Sequence, residues 1–153
     1  EAFVDAARQA GFPCNSDFNG ANQEGVGYFH LNIKNGRRFG AADAYLKPAM
    51  TRQNLTVFTD AQAKKVVFEG KRSVAVGLRH KGRDRVLRAN REIILSGGAI
   101  NSPQLLQLSG IGDRDILENL GIRCLHELPG VGKNLQEHVD ACVLAPSVSL
   151  VVQ

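Results

Sequence analysis

The sequence predicts a mixed α/β fold in which a short β-meander leads into a strand, a glycine turn and a helix. Two observations carry that prediction. Three β-rich runs, Ala63 to Phe68, Ser73 to Arg79 and Val86 to Leu95, are separated only by the turn signals Gly70-Lys71 and His80 to Arg83; tight turns between neighbouring extended runs make a meander. The last run closes on Ser96-Gly97-Gly98 and gives way to helical spacing at Leu105, Leu106 and Leu108, so the apolar period changes where the glycines fall.

Each element has its own signal. Glu1 to about Gly11 reads as the end of a helix around Ala2, Phe3, Ala6 and Ala7, with Gly11 to stop it and Pro13 against its continuation. Asn15 to Gly27 is rich in Gly, Asn and Asp and reads as loop, and Tyr28 to Ile33 as a short extended piece before a turn at Asn35-Gly36. Ala41 to Leu46 reads as a helix with Tyr45 and Leu46 on or near its packing face and Pro48 restricting its continuation; Leu55, Val57 and Thr59 then alternate as a strand does. After the meander, Ser102 suits the N-cap and Pro103 the first position of the leucine-bearing helix, while Asp113 caps a second helix that Gly121 closes. Ile122 to Leu128 reads as extended, and Pro129, Gly130 and Gly132 impose a compact loop.

With 43% hydrophobic and 22% charged residues in 153, the chain has the balance of one that folds and buries a core. It opens at Glu1 inside a helix-like pattern and closes within the apolar run from Val143 to Val152. Termini are usually polar and exposed, so the expectation is an internal piece of a longer polypeptide. The formal charge of +4 comes from scattered Lys and Arg, and the densest cluster, Lys81 to Arg91, is interrupted by Asp84 and followed by Glu92. Such a pattern lacks the basic stripe and aromatic platforms of a nucleic-acid partner. No apolar run approaches the roughly 18 to 20 residues that cross a bilayer. Cys14, Cys124 and Cys142 form no CxxC and no even framework, which favours a reducing compartment; Cys14 reads as exposed, the other two as packed thiols.

The most informative features are two glycine-rich bends, Ser96-Gly97-Gly98-Ala99 and Pro129-Gly130-Val131-Gly132-Lys133-Asn134. Small side chains let backbone N–H groups approach a ligand, and a helix N-terminus behind the first bend favours negative charge. Tight turns demanded by packing alone would leave the same trace, since neither bend has GxGxxG or GxxxxGK[ST] spacing. Gly110-Ile111-Gly112 shares that ambiguity and could simply end a helix. His138, with Lys133, Asn134 and Glu137 nearby in sequence, suits a structural or cofactor-edge hydrogen bond better than catalysis. The other histidines, at 30, 80 and 126, show no ligand spacing. Asp17 and Glu24 read as solvated surface acids. No catalytic residue and no metal ligand is assigned.

Gly97-Gly98-Ala99-Ile100-Asn101-Ser102-Pro103-Gln104-Leu105-Leu106, followed by Leu108-Ser109-Gly110-Ile111-Gly112, resembles the second signature of the glucose-methanol-choline oxidoreductase family. The resemblance extends over nearly the whole chain: Gly11, Pro13, Asp17, Asn19 and Gly20; Gly36, Arg38, Ala44, Tyr45, Leu46 and Pro48; Asn54 to Val57, Ala61 and Ala63; Gly121-Ile122, Pro129 to Gly132, Asn134 to Gln136 and His138. Within the family the pattern is most similar to the choline and related alcohol dehydrogenases. Gly40, Ala63 and Glu137 depart from the residues usual there, Ser, Val and Asp, so a side-chain role at position 40 is not carried over.

What the resemblance implies is an incomplete FAD-binding, Rossmann-like domain with its β-meander, plus part of a substrate-side and cofactor-cover region. Residues 1–50 would form the cofactor-cover and substrate-side segment, 51–140 part of the FAD-binding domain, and 141–153 the start of a substrate-binding domain. It implies that FAD lies against Ala63, at the adenine end, and against Ser96, Gly97, Gly98, Ala99, Ser102, Asn134 and Leu135. The expected activity is hydride transfer from the CH–OH group of a small-molecule alcohol, choline among the candidates, to flavin N5, with the electron acceptor and oligomeric state left open. The family's GxGxxG region and catalytic His pair are not in this sequence, so the chain alone is expected to be inactive. A non-enzymatic flavoprotein-like binding or assembly domain is the alternative. The expected location is cytoplasmic or peripheral to an inner membrane.

Overall fold

A computed structural model of the chain describes residues 1–143. It divides into two compact units, Glu1–Val57 and Phe58–Gln153. The expected start of a further domain at 141–153 and the apolar run ending at Val152 lie, beyond residue 143, outside the described residues.

In the first unit, helix α1 (Ala2–Gln9) ends on Ala10 and Gly11, as the sequence predicts. The polar loop that follows is organised by Asn15, whose side-chain amide donates to the carbonyls of Asn22 (2.8 Å) and Glu24 (3.2 Å). Its oxygen accepts the Asp17 N–H at 2.8 Å, and Asp17 in turn accepts the Asn19 N–H at 2.9 Å. Short Asx side chains bonding backbone two residues on are what hold such a segment without regular structure. Strands β1 (Ile33–Lys34) and β2 (Arg37–Arg38) pair antiparallel across Asn35 and Gly36, both at positive φ. This is the hairpin turn the Asn-Gly pair calls for.

Three expectations between Ala41 and Thr59 need correction. The helix does not stop at Pro48. A π-helical turn, Ala42–Leu46, runs into α2 (Lys47–Ala49), with the Lys47 N–H donating to the Ala42 carbonyl five residues back. That wider turn places Pro48 at the start of the next segment, where its missing donor is not required. Tyr45, at 77% exposure, packs against nothing comparable to a core. Nor do Leu55, Val57 and Thr59 join a strand: Leu55 closes a turn onto the Arg52 carbonyl, and no ladder partner faces them among the described residues.

The second unit is built on an antiparallel meander of β3 (Ala61–Glu69), β4 (Arg72–His80) and β5 (Arg83–Arg88), in the order β3-β4-β5. Gly70, Lys81 and Gly82, all at positive φ, make its turns. The third strand starts and ends earlier than its apolar pattern suggests. Arg91 to Leu95, expected to be strand before the glycine turn, has no paired neighbour among the described residues. Alternation specifies a face; a ladder also needs a second chain segment alongside.

Helix α3 (Gly98–Leu108) lies along β3. It starts a turn earlier than the Ser-Pro pair indicates. Gly97 is the N-cap, Gly98 has φ +83°, Pro103 falls inside the helix, and the Ser102 hydroxyl accepts the Gly97 N–H at 2.9 Å. Helix α4 (Arg114–Asn119) is capped by Asp113, which accepts the Ile116 N–H, and it leaves through Gly121 at φ +72°. Strands β6 (Ile111–Gly112) and β7 (His126–Glu127) pair parallel. Gly110 makes that pairing possible. Its φ is +85°, and a Cβ there would stand 2.6 Å from the Arg123 carbonyl oxygen and 2.9 Å from Leu125 Cγ. The buried apolar residues are few: Val66, Ala75, Leu78 and Leu117 among those described.

Candidate cofactor site

Four of the eight residues expected at the cofactor converge. Ala63 on β3, Ser96 and Gly97 in the bend, and Ser102 on α3 line one cleft of about 480 Å³. Val76 of β4 and Ile93 to Leu95 supply more of its wall, and α3 presents Asn101, Gln104, Leu105 and Leu108 to it. The spacing of those four is that of one helical face. The volume falls in the range of about 300–1,000 Å³ common to small-molecule sites.

No Asp, Glu, His, Cys, Lys or Arg is among the lining residues. Apolar walls with a few convergent side-chain amides and hydroxyls suit a flat, neutral heteroaromatic group, whose ring nitrogens and exocyclic groups meet donors and acceptors at the edge. Gln62, Asn101 and Gln104 belong to this lining and were not singled out from sequence. The Asn101-x-x-Gln104 spacing was the available signal.

The other four expected residues lie elsewhere. Gly98 and Ala99 open α3 without lining the cleft. Asn134, at φ +57° and the last residue of the second bend, and Leu135 just after it are both exposed. That bend is docked on the far part of α3. Gln107 Nε2 donates to the Val131 carbonyl at 3.3 Å, and a Cβ on Gly132 (φ +80°) would come 2.9 Å from the same Nε2. The Gln107 amide is a movable side-chain end, so it is the positive φ that calls for glycine at 132, with no ligand needed. Lys133 donates to Asp113 at 2.9 Å, and this bond, followed by the Ile116 N–H, holds the Asp113 carboxyl below the ordinary aspartate range.

Lys133 is thus engaged with Asp113 and does not join His138. Glu137 does contact His138, but through the main chain: its carboxylate accepts the backbone N–H of His138 at 2.8 Å. Asp17 lies 3.8 Å from His30 Nδ1 on the surface. Cys14 is exposed as expected, Cys124 is half-buried, and Cys142, read as packed, is exposed. No group of three or more His, Cys, Asp or Glu converges on a point among the described residues, and no helix there is long and apolar enough to cross a membrane.

The family model for GMC oxidoreductases matches residues 1–140. The chain belongs to the GMC oxidoreductase family. This GMC chain is 50% identical over 139 residues to human mitochondrial choline dehydrogenase, covering 91% of the chain and 23% of that protein. It is 46% identical over 140 residues to the oxygen-dependent choline dehydrogenase of Photobacterium profundum, covering 92% and 25%. Among solved structures, pyridoxine 4-oxidase from Mesorbium loti superposes with a TM-score of 0.78 at 36% identity, over 84% of the chain and 25% of that protein. An FAD-dependent oxidoreductase from Chaetomium thermophilum gives 0.77 at 28% identity, over 84% and 23%. The mixed α/β meander and helices are therefore part of the FAD-binding, Rossmann-like fold of GMC relatives. The chain spans about a quarter of the length of the relatives it matches.

Proposed function

We propose that this GMC chain supplies one wall of an FAD site in an enzyme that oxidises the CH–OH group of a small alcohol. The observation that carries this reading is the convergence of Ala63 with Ser96, Gly97 and Ser102, drawn from two separate stretches of sequence, on one uncharged cleft. Family resemblance assigns the adenine end of the cofactor to the neighbourhood of Ala63. The apolar walls would keep that ring out of water, and Gln62, Asn101 and Gln104 would meet its polar edge. Gly98 and Ala99, at the start of α3, would turn backbone N–H groups toward an anionic part of the cofactor. Asn134 and Leu135 would reach another portion of it.

FAD, when bound, supplies the flavin N5 that accepts hydride. The chain's own residues bind and orient; removal of the hydroxyl proton is assigned to none of them. Choline is the first substrate to try, because relatives 46–50% identical to the chain are named choline dehydrogenases. Residues 1–50 would form the cofactor-cover and substrate-side segment and 51–140 part of the FAD-binding domain. The human and mouse relatives are named mitochondrial, which, of the two expected locations, favours the face of an inner membrane over the cytoplasm.

The complete polypeptide in which these residues occur is expected to carry flavin absorbance that choline or another primary alcohol bleaches without oxygen. Ala63→Phe fills the cleft from an exposed position and should lower FAD retention about tenfold while leaving the thermal midpoint of the FAD-free protein nearly unchanged. Wild-type FAD content in that variant would remove the cleft from the cofactor.

A further inference from the structure

We propose, resting on the cofactor reading above, that Ser109 is a positioning residue that sets the width of the cleft from outside it. Ser109 is 6% exposed and is the buried polar residue among those described. Its hydroxyl accepts the Val66 N–H at 2.8 Å and donates to the Leu105 carbonyl at 2.5 Å. Val66 belongs to β3, three residues beyond Ala63, and Leu105 belongs to α3. Ala63 and Leu105 both line the cleft, whereas Ser109 does not.

One hydroxyl group therefore bolts the strand wall to the helix wall. β3 is an outer strand of the meander, and its ladder with β4 shifts register between Ala63 and Lys65. At that irregular stretch the bond from Val66 fixes the height of the strand against α3. The geometry also explains why a serine is placed at the C-cap of α3, where the Ser109 N–H already closes the helix on Leu105 and Leu106. Without the hydroxyl, the Val66 N–H is left buried with no acceptor, and the strand must move to find one.

The test uses the complete polypeptide, with amide exchange and FAD release as readouts. In Ser109→Ala, exchange of the Val66 amide should accelerate by roughly 10- to 100-fold, and FAD should dissociate about tenfold faster well below the unfolding temperature. Ser109→Thr, which keeps the hydroxyl, should restore both. Gly121→Ala, a backbone perturbation away from the cleft, should leave FAD release unchanged. If Ser109→Ala does not fold, Ser109→Cys, with its weaker acceptor, should exchange the Val66 amide and release FAD faster than both wild type and Ser109→Thr. Faster Val66 exchange with unchanged FAD release would confine Ser109 to packing and overturn the positioning role. Unchanged Val66 exchange would overturn the clamp itself. A wild-type polypeptide without flavin would overturn the cofactor reading and this inference together, and is told apart because in the other two outcomes wild type holds FAD.

Discussion

Replacing Gly110 by alanine isolates the closest backbone approach in the second unit. Two costs add. The φ of +85° puts an L-residue in the left-handed region, which costs about 1–2 kcal/mol. The new Cβ would stand 2.6 Å from the Arg123 carbonyl oxygen and 2.9 Å from Leu125 Cγ; overpacking of this kind costs about 1–3 kcal/mol. The sum is near 3 kcal/mol, an increase of about 150-fold in local opening. Gly121→Ala provides the comparison, because its φ is +72° and nothing lies within 4 Å of its Cβ, leaving the backbone cost alone. Native-state amide exchange reads both. Leu125 and Leu128, whose N–H groups donate to the carbonyls of Gly110 (2.7 Å) and Gly112 (2.8 Å), report the first; Ile122, bonded to the Leu117 carbonyl at 2.8 Å, reports the second. Openings of equal free energy in the two variants would refute the steric contribution and leave only the backbone one.

Asp113 offers a test by pH. Its folded value lies below the unfolded one because Lys133, and then the Ile116 N–H, stabilise the carboxylate. Its contribution to holding the second bend is therefore complete above the ordinary aspartate range and is lost as pH falls through the depressed folded value. NMR titration of its carboxyl should show a low midpoint that Lys133→Gln raises, and an unmoved midpoint would discard the pairing. Gln107→Ala removes the donor to Val131 and should loosen the second bend by about 1 kcal/mol, seen as about fivefold faster exchange at Val131 and Lys133; unchanged rates would mean that other contacts hold the loop.

What could be read from the sequence was what local chemistry decides. Asn35-Gly36, Gly70-Lys71 and Lys81-Gly82 encode turns within two residues, and each turn is present. Asp113 and Gly121 bound α4 for the same reason. Family motifs located most of the cleft, but not which of their residues face it. Ser102 shows the limit of a local rule: its hydroxyl serves the Gly97 N–H five residues back rather than a helix beginning at Pro103. Leu55 to Thr59 and Arg91 to Leu95 show another, because alternation states which side is apolar and says nothing of a neighbour to pair with. Ser109 could not have been found from its surroundings in sequence, since its acceptor role depends on a strand 43 residues away. Gly132 was legible as a special position, yet its positive φ, beside the movable end of Gln107, is what calls for glycine.

The lack of formal charge around the cleft has a consequence for how it would respond to its medium. Attraction between ions fades as dissolved electrolyte shortens its reach to about 8 Å at physiological strength, but dispersion and desolvation do not. Whatever part of a molecule the cleft holds should be gripped as firmly in brine as in dilute buffer, and any dependence on ionic strength would have to arise from groups outside it.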